Sequence, residues 1–107
     1  MYEYNATLIR VVDGDTYWLD IDLGLDIHAR FSCRLNGVNC PENSTEAGQE
    51  ATAWVQQVLP PKFPIRTIKD RKEKYGRYLV DVYPQGYDEP SLAERLIAMG
   101  HAERMTT

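Results

Sequence analysis

Two cysteines in 107 residues, Cys33 and Cys40, are too few for a disulfide framework. They form no CxxC pair and join no Cys/His cluster, so a structural zinc site is not expected. Each reads as a small buried hydrophobe, and a bridge between them has no positive support. Histidine is equally scarce: His28 falls on a strand and His101 past a helix end, and each reads as an ordinary surface residue. No apolar run approaches the roughly 20 residues that a membrane helix needs, so no transmembrane segment and no membrane partner are expected. The start, MYEYNATLIRVVDGD, lacks a basic stretch followed by an apolar one. No signal peptide is visible, and the cytoplasm is the default expectation.

What is present suits a globular domain: 43% hydrophobic and 26% charged residues. The length fits one domain over residues 1–107 with a modest core. Net charge is −4, which argues at first against a nucleic-acid partner. The average hides a split. Residues 1–54 hold three basic and nine acidic side chains, while RTIKDRKEKYGR at 66–77 holds six basic and two acidic. An acidic half beside a basic segment suits an enzyme holding a cation and an anionic substrate together. It equally suits a plain solvated surface.

The apolar pattern predicts three strands over 7–12, 16–23 and 27–36. Tyr17, Leu19, Ile21 and Leu23 alternate with Thr16, Trp18, Asp20 and Asp22, the period of a half-buried strand. Asp13-Gly14 and Gly24 mark the turns, giving an antiparallel meander. Asn43 and Glu46 resemble a capping box for a helix over roughly 44–59, with Ala47, Ala51, Trp54, Val55 and Val58 on one face. Pro60-Pro61 stop it. Strands follow at 64–69 and 77–83. Ser91 and Glu94 cap a short helix near 91–99, which Gly100 ends. The order β-β-β-α-β-β-α is that of an OB-fold, a five-stranded Greek-key barrel with two helices, mainly β with α. The expected core includes Leu19, Ile21, Phe31, Leu35, Trp54, Val55, Val80 and Leu96.

Several polar residues gather at element ends. Asp13 and Asp15 can ligate a hard cation through oxygen, or simply form a tight turn. Arg34 and Arg77 can clamp a phosphate and stabilise its developing charge, or be surface charges. Glu42 can act as general base for water, or favour a helix start.

In order along the chain, VDGDT at 12–16, RLNGVNCPE at 34–42, GQEA at 48–51, KYGR at 74–77 and SLAERLIAMGHAE at 91–103 resemble the staphylococcal-nuclease-like (thermonuclease) family. The resemblance runs over nearly the whole chain. It implies an OB-type barrel and a calcium-dependent phosphodiesterase, endonuclease or exonuclease, that cleaves DNA and RNA, preferring single strands. Other divalent cations are open. It implies metal ligation by Asp15, with Asp13 near by and the Cys40 carbonyl facing the ion. It also implies phosphate contacts from Arg34 and Arg77, and activation of water by Glu42.

One departure matters. The family's second metal-ligating aspartate falls at Asn39. An amide oxygen can still meet calcium, but one formal charge is lost. Two readings therefore stand: a metal-dependent nuclease with weakened metal binding, and a catalytically weak OB-fold module that binds nucleic acid by stacking. Trp18, Tyr75, Tyr78 and Tyr87 are candidate stackers. A third reading takes Asp70-Arg71-Lys72 as the end of a D-x-K nuclease motif, whose usual mixed sheet does not fit this strand order. Convergence of Asp15, Arg34, Glu42 and Arg77 on one concave site, with Asn39 beside Asp15, favours catalysis. A monomer is expected.

Overall fold

The computed structural model describes residues 2–72 and 76–105, with backbone alone over 69–72. In chain order the elements are β1 (Tyr2–Asp13), β2 (Thr16–Asp22), β3 (His28–Leu35), β4 (Val38–Asn39), α1 (Glu46–Val58), β5 (Lys62–Lys72), β6 (Tyr78–Val82), α2 (Leu92–Ala98) and β7 (Glu103–Arg104). Five strands close a barrel in the order β1-β2-β3-β6-β5. All barrel pairs are antiparallel except β3 with β6, where Cys33 to Leu35 run parallel to Tyr78 to Val80. The expected barrel and its two helices are therefore present. The pair β4 and β7 was not anticipated: two residues each carry too little pattern to read.

Strand β1 begins five residues before the expected Thr7, because it serves two neighbours. Tyr2 to Thr7 pair with β5, and Asn5 to Asp13 pair with β2. Its register shifts between Leu8 and Arg10, a β-bulge. Ala6 and Leu8 face the core, and so does Val11, while Ile9 and Arg10 are both exposed. That break in parity is why TLIRVVD shows no clean apolar face.

The barrel is filled by Tyr17, Leu19, Leu35, Ile65, Val80 and Val82, with Leu96 and Leu92 from α2 and Val55 from α1. Two expected core residues sit at its margin. Phe31 packs edge-to-face on Tyr78 at 5.2 Å, and Trp54 lies between His101 and Arg95, each 5.5 Å away. Leu23 is exposed, because β2 has left the core by then.

Helix α1 starts later than expected. Its N-cap is Thr45, not Asn43: the Thr45 hydroxyl accepts the Gly48 N–H at 3.0 Å and donates to the Glu42 carbonyl at 2.7 Å. The buried face is consequently Gly48, Ala51, Thr52 and Val55, and Ala47 is exposed. The Ser91–Glu94 capping box on α2 is formed as expected. Among the described residues, no helix is long and apolar enough to cross a membrane.

Candidate phosphodiester site

One end of the barrel carries a cavity of about 830 Å³, and its floor is the hairpin between β1 and β2. Gly14 lies in that hairpin for want of space. A Cβ there would meet Cys40 Sγ at 2.9 Å and Ala51 Cβ at 3.1 Å. The Tyr17 hydroxyl rises through the core and donates to the Gly14 carbonyl. Burial, with Cys40 and Asp15 adding, pushes that phenol well above its usual value, so it serves as a donor.

The turn delivers Asp15 into a nest of donors. Its carboxylate accepts the Cys40 N–H at 2.9 Å, the Thr16 hydroxyl at 3.2 Å and Arg34 Nη2 at 3.4 Å. Arg34 reaches the cavity from the end of β3. Its Nη2 also donates to Asn39 Oδ1 at 3.2 Å, and its Nη1 to the Leu35 carbonyl at 3.2 Å. Arg77, just before β6, donates to the Thr16 hydroxyl at 3.3 Å. Arg34, the β3 partner of Thr16, and Arg77 thus line the same cavity.

Glu42 comes from the loop before α1. Its backbone lies against the helix because residue 48 is glycine; a Cβ there would stand 1.8 Å from the Glu42 carbonyl oxygen. The Glu42 side chain is solvent-exposed and lines the cavity. Asp13 lines it too, its Oδ1 accepting the Asn43 N–H at 3.3 Å. Every candidate site residue read from the sequence lines this one cavity: Asp13, Asp15, Arg34, Asn39, Cys40, Glu42 and Arg77. Thr16, Pro41, Leu79 and Met105 were not anticipated there. Thr16 carried a signal, since its parity sets it on the face opposite Tyr17. Met105 carried none; only the pairing of β4 with β7 brings it near.

A family model described as staphylococcal nuclease homologue matches residues 32–107. The chain belongs to this family. The matched stretch contains Arg34, Asn39, Cys40, Glu42 and Arg77, while Asp13 and Asp15 precede it. A search of curated proteins returned no match.

For a nuclease homologue, the question at this cavity is the cation. The oxygens of Asp15, Asp13 and Asn39 are of the hard type that calcium takes. Two of them, Asp15 Oδ2 and Asn39 Oδ1, already converge on one positive group. That group is the Arg34 guanidinium, one cationic charge facing one carboxylate and one amide. Among the described residues, no group of three or more His, Cys, Asp or Glu side chains gathers as a metal site. The donors fit a hard cation in kind, with a low charge count. Cys40 is no thiolate ligand: burial, and then Asp15, pushes its thiol up to about 12. Cys33 is likewise raised to about 12 by burial, and both cysteines are free.

Neither histidine lines the cavity: His28 lies 3.4 Å from Asp20, and His101 packs on Trp54. The Asp70-Arg71-Lys72 side chains, Lys74 and Tyr75 lie outside the described residues.

Proposed function

We propose that this chain hydrolyses phosphodiester bonds of DNA or RNA, with single strands as substrate, at the barrel-end cavity. The observation that carries the reading is the convergence of two guanidinium groups and an exposed carboxylate on one concave site. Arg34 and Arg77 hold the non-bridging oxygens of one phosphate and stabilise the charge that grows there as water adds. Glu42 accepts the proton of the attacking water, in line with the leaving oxygen. The hydrogen bonds from Cys40 and Thr16 fix Asp15, and Thr16 in turn orients Arg77. A divalent cation, calcium by donor type, would be held by Asp15, Asn39 and Asp13, and would neutralise phosphate charge.

A second reading has its own observation. Asn39 lacks the charge of a carboxylate, and Arg34 lies across the oxygens of both Asp15 and Asn39. That arrangement suits a domain that grips a phosphate and cleaves it slowly or not at all.

One experiment separates the two. Labelled single-stranded DNA and RNA are incubated with the protein in calcium and in chelator, and cleavage is followed on a gel. Hydrolysis is expected in calcium. Arg34→Ala and Glu42→Ala should each cost about 10² in rate with the fold intact by circular dichroism. Tight binding with no cleavage would leave the binding module.

A further inference from the structure

Of the aromatic side chains read as stackers, Tyr78 and Tyr87 are engaged. Tyr78 packs on Phe31, and Tyr87 lies under Arg66 and donates its hydroxyl to the Ile65 carbonyl at 3.0 Å. Trp18 is different. It is 38% exposed, and its side chain makes no hydrogen bond or ring contact among the described residues. It sits two residues along β2 from Thr16, on the same outer face, which places it about 6.7 Å from the cavity lining by strand rise.

Its cross-strand neighbours are informative. Thr16 is flanked by Asp13 on β1 and Arg34 on β3, the row that lines the cavity. Trp18, in the next row, is flanked by Arg10 on β1 and Ser32 on β3. The β1 bulge turns Arg10 outward at this point, and bulges commonly re-aim a side chain beside an active site. An exposed indole, a guanidinium and a hydroxyl therefore lie side by side, in continuity with the phosphate cavity. The following row holds Asp20, opposite Thr7 and Arg30, and then Asp22. These two rows hold two carboxylates against one arginine, Arg30, and so attract a phosphate chain less than the Arg10 row does, which limits the track to one nucleotide.

We propose that Trp18 and Arg10 form a subsite for the nucleotide next to the scissile phosphate. The base stacks on the Trp18 indole, and the flanking phosphate meets Arg10. Stacking on an indole is tolerant of base identity, so the subsite adds affinity without sequence preference. The inference rests on the reading of the cavity as a phosphodiester site.

The test is a binding titration in chelator, comparing abasic deoxyribose 3′,5′-bisphosphate, which has no base to stack, with oligonucleotides of two to four residues. The wild type should gain about tenfold between the bisphosphate and the dinucleotide, and little thereafter. Trp18→Ala should lose that gain while binding the bisphosphate as before; Trp18→Phe should keep most of it. Arg10→Ala should lose a few-fold and lower the salt dependence of oligonucleotide binding. Equal binding of all lengths by Trp18→Ala and wild type would overturn the subsite alone. Failure of the wild type to bind even the bisphosphate would overturn the cavity reading and the subsite with it. A second copy of the chain over Trp18 would show as altered sedimentation of free Trp18→Ala with unchanged oligonucleotide affinity, and would overturn the proposal.

Discussion

At the scale of single residues, position 39 decides how the cavity treats positive charge. Asn39 offers one amide oxygen, which Arg34 takes at 3.2 Å. Asn39→Asp returns a formal negative charge beside Asp15 with almost no change of shape. Charge count among oxygen ligands is a main determinant of calcium affinity. The variant should bind calcium tighter by about tenfold or more, a difference of about 1.4 kcal/mol. It should also cleave single-stranded DNA faster at limiting calcium. Calorimetric titration of both proteins, followed by cleavage rates, checks this. Equal calcium affinities would mean that residue 39 is not beside the ion. Asp15, Arg34, Glu42 and Arg77 were legible in the sequence as members of short motifs, and the fold brings all four to one cavity. The partner of each was not legible. Nothing in DGDT says that the Asp15 carboxylate accepts the Cys40 N–H, 25 residues on.

At the scale of elements, the site depends on how closely α1 meets the loop before it. Gly48 allows that contact, and Thr45 ties the helix start to the Glu42 carbonyl. Gly48→Ala places a methyl group where the Glu42 backbone stands, and backbone cannot swing aside as a flexible side chain can. The substitution should cost about 1–3 kcal/mol in chemical denaturation, the range for overpacking. On the role proposed for Glu42, it should also slow cleavage by shifting that carboxylate. Unchanged stability with full activity would show that loop and helix part freely. The cap itself illustrates a limit of pattern reading. Asn43 with Glu46 and Thr45 with Gly48 are both acceptable local starts. The choice went to Thr45 because Gly48 has to pack on the loop. The β1 bulge is a similar case: its sequence is strand-like throughout, and only pairing with β2 and β5 shows where the register slips.

At the scale of the whole molecule, one half-buried carboxylate sets a slope in stability. Burial raises the Asp81 carboxyl above its ordinary value; a hydrogen bond from Asn36 and the charge of Arg66 oppose this, and Glu94 adds to it. The folded state therefore holds that proton more tightly than the unfolded chain does. Stability from this group is greatest at acid pH and declines as pH rises from the ordinary carboxylate value through the raised one. Asp81→Asn should raise the melting temperature at pH 7 and lose that advantage below the ordinary carboxylate range. Melting curves from pH 3 to 8 test it, and a gain independent of pH would rule the mechanism out. By itself the sequence determined the order of the five barrel strands and two helices, the helix ends at Ser91 and Gly100, the alternation of β2 and the residue types that line the cavity. These are properties of neighbours in the chain, governed by periodicity, capping and turn chemistry. Only the tertiary structure decided that β1 spans two partners, that β7 holds β4 beside the cavity, that Arg34 lies across Asp15 and Asn39, and that Trp18 stays uncovered. Those facts depend on which surfaces meet when the barrel closes, and closure brings together residues whose separation in sequence carries no local signal.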